Sequence, residues 1–100
     1  MKVNYNVVGF TADQKLVDFI QRKADKLDTF FDRIIDGEVF MRLEKDDDRE
    51  NKLLEIKLNI PGGQLFAKEK SKSFEAAADE AVEALRRQLK KHKEKLYAHS

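Results

Sequence analysis

One hundred residues with 41% hydrophobic content hold enough apolar material for one modest core and too little for two. The 20 Lys and Arg nearly cancel the 19 Asp and Glu, leaving a net charge of +1, so attraction for an anion has to come from local sorting of charge and not from the total. With no cysteine, a disulfide framework, a thiol nucleophile and a cysteine-containing zinc site are excluded, which suits a reducing compartment.

Met1 to Phe10 lack the apolar stretch of a signal peptide, and no apolar run approaches the roughly 18 residues of a membrane span. A soluble cytoplasmic protein is expected. From Lys2 to Val8 the chain alternates, with Val3, Tyr5 and Val7 on one side and Asn4 and Asn6 on the other, the period of a half-buried strand. Gly9 permits a turn, and Thr11 with Gln14 fits a capping box that starts a helix near Ala12. Leu16, Val17, Ile20, Ala24, Leu27 and Phe31 give that helix one apolar stripe. Lys15, Arg22, Lys23 and Lys26 fall along one border of the stripe with Phe19 and Phe30, while Asp18, Asp25 and Asp28 fall well away from it. The helix sorts its charge.

Three strand-like segments follow. Val39, Met41 and Leu43 alternate against Phe40, Arg42 and Glu44, and the polar run Asp46 to Asn51 reads as a solvated loop. Leu54, Ile56, Leu58 and Ile60 alternate against Leu53, Glu55, Lys57 and Asn59 until Pro61-Gly62-Gly63 stops the strand, because Pro brings no N–H to a ladder and Gly accepts φ > 0. Gln64 to Lys70 resumes, with Leu65 and Ala67 facing in.

Ser73 to Leu96 is the most strongly helical stretch, about 36 Å of helix at about 1.5 Å per residue. Ser73 is its predicted N-cap, with Glu75 at the positive end of the dipole. Phe74, Ala77, Ala78, Ala81, Val82, Leu85, Leu89 and Leu96 form its apolar stripe. Acids (Glu75, Asp79, Glu80, Glu83) fill the first half, and bases (Arg86, Arg87, Lys90, Lys91, Lys93, Lys95) the second. A macrodipole asks for one or two cations in the last turn, so this density suggests an anionic partner as readily as it suggests a solvated face.

The element order is β-α-β-β-β-α, an α+β fold. Two helices with one apolar stripe each, and a sheet with one apolar face, are satisfied together when both helices lie on that face. The last three strands should form an antiparallel meander, and the first two strands, if paired, should run parallel through a right-handed crossover. Whether the basic borders of the two helices converge or point apart is not decided by spacing.

Catalytic constellations are thin. The two histidines, His92 and His99, have no partner assignable by spacing, and His92 reads as a surface or core-edge residue. Asp46, Asp47, Asp48 and Glu50 lack the ligand spacing and the glycine of a calcium loop. Phe40 and Phe66 sit on the sheet face away from the helices, where an RRM stacks bases, but the element order is wrong for an RRM and the pair reads as cross-strand packing. The run α-β-β-β-α has the order of double-stranded-RNA-binding domains.

Taken together, several stretches make the chain resemble the short-form ribosome hibernation promoting factors and ribosome-associated translation inhibitors. Lys26-Leu27-Asp28-Thr29-Phe30-Phe31-Asp32-Arg33-Ile34 is similar to that family's K-L-E-x-Y/F-F-D-R-I. Gly62-Gly63 precedes the last strand, Ala76-Ala77 opens the long helix, and Leu85-x-Arg87-Gln88-Leu89-x-Lys91-His92-Lys93-x-Lys95-Leu96 closes it. The resemblance implies a four-stranded mixed sheet with two roughly parallel helices packed on one face and a basic groove between them. It implies binding to the small ribosomal subunit in the channel used by mRNA and tRNA, and silencing of translation in stationary phase or starvation. It points to Lys23, Lys26, Arg33, Arg87, Lys91, Lys93 and Lys95 as contacts to ribosomal RNA phosphates. Where members often carry Lys this chain has Thr29 and Ala84, and Arg86 and Lys90 stand near to compensate. No catalytic residue, cofactor, metal, membrane or small-molecule substrate is implied. The partner is the small subunit, its RNA with ribosomal proteins alongside. A single ribosome-binding domain over residues 1–100, monomeric when free and without a C-terminal dimerisation domain, is expected. The alternatives are a general double-stranded-RNA-binding module and a protein-interaction modulator of transcription.

Overall fold

A computed structural model describes residues 1–45 and 49–97. Its elements are β1 (Val3–Val8), α1 (Gln14–Phe30), β2 (Asp36–Leu43), β3 (Lys52–Ile60), β4 (Gly63–Ser71) and α2 (Phe74–Tyr97), the expected order. The acidic stretch Asp46 to Asp48 of the expected loop lies outside the described residues.

The four strands form one mixed sheet in the order β1-β2-β3-β4, with β1 parallel to β2 and the other pairs antiparallel. The crossover through α1 is what lets β1 and β2 run the same way. Pro61 and Gly62 join β3 to β4, with Ile60 opposite Gly63; Gly62 takes φ +84°, a value that a side chain would strain. β2 begins at Asp36, three residues before the alternation at Val39, because Gly37 and Glu38 pair with Leu58 and Lys57 whatever their hydropathy.

One sheet face carries Val39, Met41, Leu54, Ile56, Leu58 and Ala67, all buried, and both helices press their stripes onto it. From α1 come Ile20, Ala24 and Leu27, with Phe31 just beyond its end; from α2 come Phe74, Ala77, Ala78, Ala81, Val82, Leu85 and Leu89. Alanines bring α2 close to the sheet, and Leu85 and Leu89 fill the core below. Leu96 has the right angular position but stays 46% exposed, because α2 outruns the surface it packs on.

The α2 cap is the expected one: Ser73 Oγ accepts from the Ala76 N–H at 3.0 Å. The α1 cap is not. Asp13, not Thr11, caps the helix, its carboxylate accepting from the Leu16 N–H at 2.9 Å, and Gln14 turns outward to donate to Asp18. A carboxylate two residues nearer the first apolar turn wins over the Thr hydroxyl, being both an acceptor and a charge at the positive end of the dipole.

Phe40 and Phe66 are not cross-strand partners. They lie on β2 and β4 with β3 between them, Phe40 level with Glu55 and Phe66 level with Lys57. Ion pairs knit that outer face across the strands instead, Lys57 with Glu38 at 3.0 Å and Lys68 with Glu55 at 3.6 Å. At the β4 edge, Gln88 of α2 donates to the Phe66 carbonyl at 2.9 Å and accepts from the Phe66 N–H at 3.4 Å, so a helix side chain occupies part of an otherwise open strand edge.

Candidate nucleic-acid interface

The charge sorting on α1 has a structural cause on each side. Its acidic border faces β1: Asp25 and Asp28 take the Met1 ammonium at 3.0 and 2.5 Å and hold its pKa above the usual value, Asp28 the more strongly. Gln21 accepts from the Tyr5 hydroxyl at 2.8 Å and donates to the Met1 carbonyl. Its basic border is thereby turned toward α2.

The two helices run side by side in the same direction. Phe10, before α1, stacks on Phe74 at the start of α2 with centroids 4.5 Å apart, and Phe31, after α1, meets His92 near the end of α2 edge-on at 5.5 Å. His92 is thus a core-edge residue, its ring half-buried against Phe31.

Between the helices lies a groove with two hollows. Lys23, Lys26, Thr29 and Phe30 of α1 line the first together with Asp79, Glu83 and Arg86 of α2; Thr29, Phe30, Asp32 and Arg33 line the second with Lys93. The basic borders therefore converge. At about 100° per residue, Arg86 and Lys93 lie seven residues apart on nearly the same face, and contact with α1 sets that face toward the groove.

Not all the expected cations share the groove. Arg87, Lys91 and Lys95 follow one another at four-residue steps and form a separate row. Arg87 stands with Glu69 of β4 and Glu80, which places the row on the flank of α2 nearer the β4 edge. Lys90 is exposed between the rows. Sequence reasoning lacked this division because a contiguous basic run looks uniform when the neighbours of the helix are unknown.

Counter-charges divide the groove along its length. Lys23 is paired with Asp79 at 2.8 Å, and Arg86 is 3.8 Å from Glu83 on its own helix. Asp79 and Glu83 are groove residues that the sequence placed only in an acidic half-helix. Among the described residues no carboxylate pairs with Lys26, Arg33, Lys90 or Lys93. Lys93 donates instead to the Phe30 carbonyl at 3.1 Å, where an ammonium suits the C-terminal end of α1. The groove is near neutral beside the first half of α2 and more cationic beside the second, where Arg33 and Lys93 face Asp32.

Among the described residues no group of three His, Cys, Asp or Glu side chains could hold a metal ion, and no helix is long and apolar enough to cross a membrane. The arrangement offers hydrogen-bond donors and positive charge. Groups of this kind can hold the phosphates of an anionic polymer.

Residues 3–97 match the family model described as sigma 54 modulation protein / S30EA ribosomal protein. The chain is 36% identical over 95 residues to a ribosome hibernation promoting factor from Pseudomonas putida, covering 95% of this chain and 89% of that one. A ribosome hibernation promoting factor from Escherichia coli is 31% identical over 99 residues, covering 99% of this chain and 100% of the relative. Among solved structures, the N-terminal domain of Protein Y from Thermus thermophilus superposes with a TM-score of 0.80 at 24% identity, over 92% of this chain and 99% of that one. A ribosomal subunit interface protein from Coxiella burnetii gives 0.81 at 18% identity, over 93% and 98%. At these identities the two structures speak for the fold.

Proposed function

The chain belongs to the sigma 54 modulation protein / S30EA ribosomal protein family, and we propose that it is a ribosome hibernation factor that binds the small ribosomal subunit through the groove between α1 and α2. Lying in the mRNA and tRNA channel, it silences translation in the cytoplasm under stress or in stationary phase, as a single ribosome-binding domain. The observation that carries this reading is the convergence of Lys26, Arg33, Arg86 and Lys93, from two helices and one loop, on a single groove. The relatives named as hibernation promoting factors support the same reading. Lys23, Lys26, Arg33, Arg86, Lys90 and Lys93 are assigned to RNA phosphates in and beside the groove, and Arg87, Lys91 and Lys95 to phosphates along the outer flank of α2.

Co-sedimentation with isolated small and large subunits, at low and at physiological salt, tests it. Wild type should pellet with small subunits, less so as salt rises, because each neutralised phosphate releases counterions. A folded Lys26→Glu, Arg86→Glu variant should lose that binding. The Arg87→Glu, Lys91→Glu variant should lose less, since Glu69 and Glu80 already offset part of the Arg87 charge. Wild type that ignores both subunits overturns the reading, and equal affinity for a generic RNA duplex replaces it with a general double-stranded-RNA-binding module.

A further inference from the structure

Phe30 is placed unlike its neighbour Phe31. It ends α1, and while the next residue, Phe31, turns into the core in an extended conformation, Phe30 stays half-buried on the groove side. With Thr29 it lines both hollows. Two cations from α2 stand against it: the Lys93 ammonium is 4.8 Å from the ring centroid and the Arg86 guanidinium 5.6 Å.

The two cations are held differently. Lys93 is tied to the Phe30 carbonyl at 3.1 Å and stays where it is. Arg86 has only a long ion pair, 3.8 Å to Glu83, on a side chain with several free rotors. When a phosphate enters the first hollow, Arg86 can exchange the ring for the phosphate, which leaves the ring less covered with Lys93 still beside it. An aromatic platform between two phosphate-binding positions suits a nucleotide whose base is free to turn inward. A continuous duplex keeps both faces of each base covered by its neighbours and offers only edges and backbone, which leave the ring unused.

On these grounds we infer that the groove recognises an unpaired stretch of RNA, with one base stacked on Phe30, its flanking phosphates on Lys26 and Arg86 to one side and on Arg33 and Lys93 to the other. The inference rests on the groove being an RNA site and adds which form of RNA it selects. Phe30 is a specificity residue, and the cations alone would not distinguish strand from duplex.

The test compares a short oligouridylate, the same strand with abasic positions, and a blunt RNA duplex of equal length, at one salt concentration. Wild type, Phe30→Leu and Phe30→Tyr are measured; Leu keeps the apolar packing, and Tyr keeps the ring. The strand should bind tighter than the duplex. Phe30→Leu should weaken strand binding about fivefold or more, as loss of one base stack does, and leave duplex and abasic binding unchanged, while Phe30→Tyr retains wild-type values. Since the chain has no tryptophan, Phe30→Trp supplies a single indole whose fluorescence the strand should quench and the duplex should not. Equal loss for strand and duplex in Phe30→Leu, or no loss for either, overturns the inference, as does an unquenched indole. Wild-type co-sedimentation with small subunits, run in parallel, separates the two claims. Subunit binding with an indifferent Phe30 sinks only this inference, whereas absent subunit binding sinks the hibernation reading and leaves the strand and duplex comparison to decide the role of the ring.

Discussion

Asp79→Asn should make this protein bind RNA more tightly. In the free protein Asp79 occupies Lys23 at 2.8 Å, with the two side chains 52% and 32% exposed. A phosphate that approaches Lys23 must displace that carboxylate and is also repelled by it. A half-exposed ion pair of this kind stabilises the fold by about 1 kcal/mol at most, so removing it costs little stability and frees up to the same amount for binding. That corresponds to roughly a fivefold gain in affinity. Because Lys23 then meets a phosphate without first giving up a carboxylate, the plot of log affinity against log salt should steepen, by about 0.7 at most. The assay is small-subunit or RNA binding titrated at several salt concentrations, with thermal melting to confirm the fold. Measured with Lys23→Gln alone and with the double variant Lys23→Gln, Asp79→Asn, the gain from Asp79→Asn should vanish where Lys23 is missing, which isolates the coupling between the two residues. Unchanged or weaker binding by Asp79→Asn, with an unchanged slope, would refute the claim that Lys23 lies on the RNA path with Asp79 as its competitor.

Gln88→Ala should lower stability by about 1 kcal/mol through the two bonds lost at Phe66, read as a lower urea midpoint; the bared β4 edge should also promote self-association at high concentration, visible by sedimentation. Burial, and then the charge of Glu80, hold the Glu69 carboxyl above its usual pKa. The folded state therefore binds that proton more tightly than the unfolded one, and this contribution to stability is lost as pH rises from the ordinary glutamate value through the raised one. Glu69→Gln should flatten that decline in a denaturation series, and an identical slope in the variant would count against it. Burial, with Asp25 and Asp18 nearby, pushes the Tyr5 phenol up to about 12. Phenolate absorbance should show a late step that Tyr5→Phe removes, and the stability it contributes as a neutral phenol should fall as pH climbs from about 10 toward 12.

Much of the fold can be read without coordinates because the periods of strand and helix are local properties. Val3, Tyr5 and Val7 declare an inward face by alternation alone, Ser73 declares a helix start, and Pro61-Gly62 a turn, each through the conformations that its own backbone permits. The cap of α1 shows where such reading fails: Thr11 and Asp13 are both competent caps, and only the packed position of the first turn chooses between them. Leu96 fails for the complementary reason, since angular position says which way a side chain points and not whether anything is there to meet it. The same limit governs the site. Spacing put cations on a border of each helix, and the resemblance implied that the borders meet, but the partition of α2 into a groove row and a flank row depends on where α1 and β4 lie around it. So do the pairing of Lys23 with Asp79 and the exposure of Phe30 between two cations. What the sequence determined by itself was the set of elements and the faces they must bury. Which charges remain free to act was decided only when two helices, distant in the chain, were set side by side on one sheet, because electrostatic competition depends on distances through space.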